Sequence, residues 1–213
     1  IDVRDNGGGT RDALRVVAPR LLDDATPVLV ANVAAYRLAE GDERATAAGY
    51  LADRSLFPAG WSGWSEAQRD AVQRAAADFA PEWEPSPAEF SEWHWFAIEA
   101  APADRRFAGE VCVLVDEDCF SATDVFLGAL AELPRVTLVG SPSGGGSGRS
   151  RGFDLAHSRV SVKLSSMASF RPNGLRYDGR GVEVDVPVLA QPGDFVSTSD
   201  AVLDAALERL RAR

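Results

Sequence analysis

Ser121 is the residue whose type and position could support covalent chemistry, because it follows an apolar run and an acidic turn. Residues 111–115, VCVLV, are apolar on both faces, which is typical of a strand buried on both sides. Apolar side chains recur at helical spacing from Phe126 to Leu133, so the strand-to-helix junction is predicted near residues 117–121. Ser121 would then stand at a helix N-terminus, where unpaired N–H groups and the helix dipole stabilise developing negative charge. An acyl-transfer enzyme would need its nucleophile in such a place.

The same serine has a simpler interpretation. Ser121 and Asp124 form S-x-x-D, which is close to a capping box, and a serine that only caps a helix needs no catalytic role. Capping serines are far commoner than nucleophiles, so this motif alone favours the cap. The rest of the chain has to decide between the two.

Two glycine-rich turns could bring backbone N–H groups towards a negative charge. Gly7–Gly9 separate a predicted strand, IDVR, from a predicted helix that Thr10 would cap, although a tight turn is the plain alternative. The second turn spans residues 141–152, SPSGGGSGRSRG, and almost spells a phosphate-binding loop. Ser147 stands where that loop has Ser or Thr, but Gly146 replaces its lysine, which argues against nucleotide binding.

The histidines and cysteines give weaker signals. His94 lies in an aromatic run, where a structural histidine is commoner than a catalytic base, and His157 is expected in a surface turn. Cys112 and Cys119 fall in the predicted strand and its turn, so we expect buried packing residues and neither a disulfide framework nor a metal site.

Composition excludes several classes of function. The 213 residues carry a net charge of −10, with 32 acidic against 22 basic residues, which argues against non-specific binding to nucleic acid or anionic membranes. No apolar run approaches the roughly 18 residues of a membrane span. Peptides or small molecules are the expected partners, and the sequence is also compatible with a homo-oligomer. The chain begins inside a predicted strand without Met, so we expect residues upstream of Ile1.

The elements that must position Ser121 form an α/β pattern. Residues 27–33 and 135–140 are two further buried-strand runs, the first completing an apparent βαβ unit with IDVR and its helix. After the second glycine-rich turn the chain becomes β-rich, and it closes on an amphipathic helix around residues 203–210.

A segment of about residues 40–108 differs in character and is interpreted as an insertion with its own small core. It contains all five tryptophans: Trp61, Trp64, Trp83, Trp93 and Trp95. A capping box at residues 65–68 predicts one helix. Residues 86–100 are predicted to form a second helix, although the Trp93 and Trp95 spacing also fits a strand.

Three separated stretches resemble a known family. DVRDNGGG (residues 2–9), FSATDVFLGAL with TLVGSPSGGGSG (120–130 and 137–148), and YDGRGVEVDVPV (177–188) are similar, in order and spacing, to segments of the S41 serine peptidases. These include the tail-specific or carboxy-terminal processing proteases and the tricorn core protease. The resemblance implies an α/β, ClpP/crotonase-like fold over residues 1–213, interrupted by the mostly helical, Trp-rich insertion.

The resemblance also implies site residues. It places the nucleophile at Ser121, in SATD, and an oxyanion hole at the backbone N–H of Ala122 and of a glycine in DVRDNGGG, for which Gly8 is the first choice and Gly9 the second. The resemblance implies a peptide or protein substrate, and hydrolysis of this kind requires no metal or cofactor. The chain would be the C-terminal catalytic portion of a serine endopeptidase.

The general base is the main departure from the family. The tail-specific branch uses a lysine about 25 residues after the serine, and the matching position here is Gly146; Lys163, the only lysine, does not match. The tricorn-like branch uses an upstream histidine and a glutamate in a segment resembling YDGRGVEVD, where Asp178 is the nearest carboxylate. Asp178 could orient a base or simply form a turn before Gly179.

The base is therefore expected either upstream of Ile1 or at His94, and the chain alone is expected to be nearly inert. Two other classes stay open: an inactive S41-like module that binds peptides or assembles a larger protein, and a nucleotide-binding α/β domain. For the compartment, the resemblance favours an extracytoplasmic setting, whereas a tricorn-like relative would be cytosolic.

Overall fold

The computed structural model describes residues 1–38, 51–189 and 199–212. Within them the strands and helices, in chain order, are α1 (Asp12–Leu21), β1 (Val28–Tyr36), β2 (Phe57–Pro58), α2 (Glu66–Asp78), β3 (His94–Glu99), β4 (Val111–Val115), α3 (Ala122–Leu130), β5 (Val136–Gly140), β6 (Ser150–Asp154), β7 (Ser161–Ser165), β8 (Met167–Phe170), β9 (Val186–Pro187) and α4 (Ala201–Arg211). The fold is mixed α/β, as the pattern predicted. None of the helices within these residues has the length and apolar character that crossing a bilayer demands.

The parallel sheet consists of β4, β5 and β9, and the turn after β4 leads to Ser121 at the start of α3. Every residue of β4 and β5 is buried, because VCVLV and VTLVG have no charged side chain on either face. Residues 1–3 lie parallel to β4, with the Val3 N–H donating to the Leu114 carbonyl at 3.2 Å. The glycine turn that follows residues 1–3 therefore lies at the same edge of the sheet as the turn after β4.

The second sheet is antiparallel, in the order β2-β3-β1-β8. Its centre is β1, which pairs with β3 and with β8. The interpretation of IDVR, α1 and β1 as one βαβ unit was wrong, because residues 1–3 and β1 belong to different sheets. An apolar run buried on both faces fixes neither the partner nor the direction of a strand.

The region of the predicted insertion contributes a strand to this sheet. The capping box that opens α2 is confirmed: the Ser65 hydroxyl accepts the Gln68 N–H and the Gln68 side chain accepts the Ser65 N–H. The predicted helix at residues 86–100 was wrong. Only a single turn forms after Ser86, and β3 then pairs with the central strand β1. Packing of alternate side chains on two apolar layers outweighs the local helix signal there.

Two apolar clusters lie on opposite faces of the antiparallel sheet. The larger is formed with α1 and α3, and the smaller with α2, where Trp64, Trp95 and Phe170 are buried. Trp61 and Trp93 pack against the smaller cluster, whereas Trp83 is exposed against Phe90. Four of the five tryptophans thus belong to or pack against the smaller cluster, which they share with residues of β1 and β8.

Candidate active site

Ser121 immediately precedes α3 in an unusual backbone conformation. Its φ is 61° and its ψ is −112°, and its side chain makes no capping hydrogen bond to the helix. The capping-box interpretation was therefore wrong. A positive φ at a non-glycine residue costs about 1–3 kcal/mol and persists only where the surroundings enforce it. Ser121 is half-buried and lines a cavity of about 200 Å³.

The first glycine turn packs directly on this serine. Gly8 has a φ of +101°, and a Cβ added to it would lie 2.6 Å from the Phe120 carbonyl oxygen and 2.7 Å from the Ser121 Cβ. Only glycine fits such an approach. Two of the three sequence motifs, DVRDNGGG and SATD, are thus in contact.

Asn6 links the glycine turn to the turn before α3 by hydrogen bonds. Its side-chain oxygen accepts the Gly8 N–H at 3.0 Å and the Thr123 hydroxyl at 2.9 Å, and its carbonyl accepts the Phe120 N–H at 3.1 Å. Sequence analysis gave no role to Asn6 or Thr123. Both stand inside the motifs, which was the available signal.

Two backbone N–H groups beside Ser121 have no acceptor among the described residues, those of Gly9 and Ala122. Both residues line the cavity with Ser121. The Gly8 N–H, by contrast, is engaged by Asn6. The geometry therefore favours Gly9 over Gly8 as the second donor towards a negative charge in the cavity.

Asp124 holds the second glycine-rich turn against α3. Its fully buried carboxylate accepts the Ser143 hydroxyl at 2.6 Å, the Gly145 N–H at 3.1 Å and the Gly146 N–H at 3.0 Å. These are the N–H groups that a phosphate would need in this turn. A protein carboxylate already occupies them, which speaks against the nucleotide-binding alternative. The aspartate of S-x-x-D thus anchors a loop and forms no capping box.

The third motif, YDGRGVEV, packs on the same turn. The Gly179 N–H donates to the Gly145 carbonyl at 3.0 Å, and the Val182 N–H donates to the Ser143 hydroxyl at 2.8 Å. Three stretches that are far apart in the sequence therefore meet around Ser121.

Asp178 belongs to this contact, although it is not on the wall of the Ser121 cavity. Its carboxylate accepts the Gly148 N–H at 3.1 Å and lines a neighbouring cleft. Burial raises the pKa of Asp178, and the Gly148 hydrogen bond opposes that shift. The side chain is therefore near the site and held against the loop.

None of the described side chains forms a hydrogen bond with the Ser121 hydroxyl. His94 is fully buried in β3, with Nδ1 2.9 Å from the Glu92 carbonyl oxygen, and it does not line the cavity. His157 and Lys163 lie on the exposed β6–β7 hairpin. At Gly146, a side chain would overlap the ring of Phe120, which fills the space beside the loop.

Both cysteines are buried free thiols, as predicted. The Cys119 Sγ contacts the Val3 carbonyl at 3.0 Å, and burial raises the pKa of this thiol to about 12. Cys119 is therefore neutral at physiological pH and unsuited to act as the nucleophile.

Two arginines that sequence analysis did not single out line the same cavity. Arg11 is buried and donates to the Arg54 carbonyl at 2.8 Å and to the Asn32 side chain at 2.7 Å. Burial, followed by the charge of Arg54, lowers the pKa of Arg11 to about 9. Arg54 donates to the Ser147 carbonyl at 3.1 Å, and burial lowers its pKa as well.

A serine at a strained turn before a helix, with free backbone N–H groups beside it, is typical of serine hydrolases. The chain belongs to peptidase family S41, a family of serine proteases, whose family model matches residues 1–188. Among curated proteins, no sequence matches the chain.

Solved structures with similar folds are distant in sequence. A candidate peptidase from Parabacteroides merdae is 22% identical, with a TM-score of 0.65, over 98% of this chain and 50% of its own. Mature CPAF, solved with lactacystin, is 20% identical, with a TM-score of 0.59, over 88% of this chain and 38% of its own. The chain thus spans half or less of the length of these structures, and at these identities the likeness shows the fold alone.

Proposed function

We propose that this chain is the catalytic portion of a serine endopeptidase, with Ser121 as the nucleophile. The observation that carries the proposal is a strained, uncapped serine in a cavity lined by the glycine turn and the SATD segment, with the YDGRGVEV segment packed on the loop beside it. The Ser121 hydroxyl adds to the peptide carbonyl and loses its proton to a base. The amine then leaves with a proton, and water releases the acyl group from Ser121.

The oxyanion hole is assigned to the N–H groups of Gly9 and Ala122. Both line the cavity and neither has a described acceptor, whereas Gly8 serves as the close backbone contact that positions the turn. Each such donor contributes about 2.7–4 kcal/mol to the stabilisation of a tetrahedral intermediate.

The general base is assigned to a residue outside the described part of the chain, in a longer protein that contains it. This assignment is supported by the fact that neither histidine lines the Ser121 cavity and that Lys163 does not line it either. Asp178, held beside the loop, is proposed to orient that base. The 213-residue chain by itself would then be nearly inactive.

The finer description of the fold follows from the same family. We propose a ClpP/crotonase-like fold in which about residues 40–108 form an insertion that adds β3 to the antiparallel sheet; residues 39–50 lie outside the described part. Peptides or proteins are the proposed substrates. An extracytoplasmic setting and a homo-oligomeric state stay predictions of the sequence.

A serine-reactive phosphonate tests the proposal. The protein expressed from its complete gene should be labelled, and Ser121→Ala should abolish labelling and lower peptide hydrolysis by at least about 10³-fold. Asp70→Asn, on the exposed face of α2, serves as a control for handling and folding. A folded protein that is never labelled would instead be an inactive, peptide-binding S41 module. Steady hydrolysis by the 213-residue chain, abolished by Ser121→Ala, would contradict the missing base and return His94 to consideration.

A further inference from the structure

The cavity at Ser121 has an unusual charge distribution. Arg11 and Arg54 both line it, and within the described residues neither guanidinium group forms an ion pair with a carboxylate. Their hydrogen bonds go to two carbonyl oxygens and one amide oxygen, all of them neutral. Two like charges in a poorly solvated place oppose folding unless something offsets them.

The acidic residues nearby offset this charge only in part. Asp53 also lines the cavity, but its carboxylate binds Arg149 at 2.9 Å and 3.3 Å. Asp178 contributes attraction to Arg54, but its own carboxylate is held by the Gly148 N–H. The cavity is therefore left with an excess of positive charge.

Ser147 provides an independent indication of a missing ligand. It is 1% exposed and lines the same cavity, yet its hydroxyl has no hydrogen-bond partner among the described residues. Buried hydroxyls are almost always hydrogen-bonded, so this one lacks an acceptor that a ligand in the adjoining cavity could supply. A negatively charged oxygen would satisfy Ser147 and the two arginines together.

We propose that Arg11, Arg54 and Ser147 form a subsite that binds a carboxylate of the substrate next to the bond cut at Ser121. The carboxylate belongs either to an acidic side chain or to the C-terminus of a peptide. Guanidinium groups match a planar carboxylate through paired hydrogen bonds, while Val125 and Ala122 supply apolar wall for the carbon chain that carries it. The inference rests on the proposed function only for the position of the cleaved bond.

Three short peptides separate the sources of the carboxylate in a binding experiment on the Ser121→Ala protein, which prevents turnover. Acetyl-Ala-Ala-Glu amide carries only a side-chain carboxylate, acetyl-Ala-Ala-Gln acid carries only a terminal carboxylate, and acetyl-Ala-Ala-Gln amide carries neither. We expect calorimetry to give at least about tenfold tighter binding for one charged peptide than for the neutral one, which is about 1.4 kcal/mol. The charged peptide that binds identifies the source.

Arginine variants connect the preference to the subsite. Arg54→Gln should reduce the tenfold ratio to less than threefold, and Arg54→Lys should restore part of it. Arg74→Gln, on the exposed face of α2, changes the net charge equally and should leave the ratio unchanged. Arg11 is more deeply buried, so Arg54 is the safer site, and near-ultraviolet circular dichroism confirms the fold of each variant.

Other outcomes overturn the proposal. Equal binding of all three peptides, or a preference that Arg54→Gln leaves intact, would mean that the arginines are structural. Inorganic phosphate that binds more tightly than either charged peptide would mean a site for a different anion. These results are distinguishable from failure of the proposed function. If no phosphonate labels the protein but the Arg54-dependent preference is observed, the carboxylate subsite is supported and the peptidase activity is not.

Discussion

At the scale of single residues, the conformation of Ser121 is imposed by its neighbours. Gly8 leaves no space for a side chain beside it, and Asn6 joins the two turns by accepting hydrogen bonds from the Gly8 N–H, the Phe120 N–H and the Thr123 hydroxyl. A serine with positive φ that neither caps its helix nor forms a hydrogen bond with another described side chain gains no local compensation for its strain. The strain is therefore consistent with a hydroxyl that is positioned for a substrate.

Asp178 provides a prediction about pH. Burial raises its pKa in the folded protein, so the folded state binds more protons than the unfolded state between pH 3.8 and that raised pKa. Its contribution to stability is therefore favourable at low pH and is lost as pH rises through this window. Asp178→Asn removes the titration while its side-chain oxygen still accepts the Gly148 N–H.

We accordingly expect Asp178→Asn to unfold at an equal or higher temperature than the parent at pH 7, with the difference shrinking towards pH 4. Thermal unfolding at several pH values measures this, with Asp70→Asn as the exposed control. In the complete protein the same variant should lower kcat by on the order of 10²-fold if Asp178 orients the base. A variant that loses stability at pH 7 would show that the carboxylate is needed for packing.

At the scale of elements, the loop after β5 depends on one carboxylate in the first turn of α3. Asp124 accepts three hydrogen bonds from Ser143, Gly145 and Gly146, and the dipole at the N-terminus of α3 stabilises its negative charge. The loop in turn receives the YDGRGVEV segment. One aspartate thus connects α3 with the two other segments that pack around Ser121.

Asp124→Asn should therefore be strongly destabilising. The asparagine amide has the same size but only one acceptor oxygen, and its NH2 group would face the N–H donors of the loop. Buried donors would then be left unpaired, which lowers the free energy of unfolding by about 2–4 kcal/mol in total. Urea unfolding measures the free energy, and amide hydrogen exchange at Gly145 and Gly146 measures the local effect. Asp70→Asn should cost less than about 0.5 kcal/mol. Unchanged exchange at both glycines would show that Asp124 does not hold the loop.

The elements also show how far the sequence could predict the molecule. The strand–turn–helix at Ser121, the strand after α3 and the capping box of α2 follow from local periodicity and turn chemistry, and the structure confirms them. The pairing of β1 with β3 and β8, and the strand at His94–Glu99, depend on contacts between distant residues, which no local pattern encodes.

The candidate site divides in the same way. Ser121, Gly8, Gly9 and Ala122 were predicted from motifs, and the contact between the glycine turn and the serine could be anticipated. Arg11 and Arg54 could not, because surface arginines and cavity-lining arginines are indistinguishable in a sequence. Their burial is visible only after the fold has placed them.

At the scale of the whole molecule, the chain places the candidate nucleophile, the candidate oxyanion donors and a charged pocket on one scaffold without a described base. This scaffold has two apolar cores, one on each face of the antiparallel sheet, and only the larger contacts α3. The side of the larger core therefore carries the proposed chemistry. The position predicted to match the lysine of the tail-specific branch is Gly146, and the Phe120 ring occupies the space beside it.

Introducing a lysine at residue 146 tests whether a general base is the only group that this chain lacks for reaction at Ser121. Phe120 is 43% exposed, so Phe120→Ala should free the space beside Gly146 at modest cost in stability. With Gly146→Lys in the same chain, a lysine partly removed from water and near two arginines should have a lowered pKa and accept the Ser121 proton. The 213-residue chain should then react with a serine-directed phosphonate on the order of 10²-fold faster than the parent.

Phe120→Ala with Gly146→Met is the matched control, because methionine has a similar length and no amine. Labelling by the lysine variant should rise with pH through the pKa of the new amine and disappear when Ser121→Ala is added, whereas the methionine variant should stay unreactive. A folded lysine variant that shows no labelling from pH 6 to 10 would mean that residue 146 does not face Ser121. The correspondence of this loop with the lysine-bearing loop of the tail-specific branch would then be wrong, and the base would have to approach from another side of the cavity.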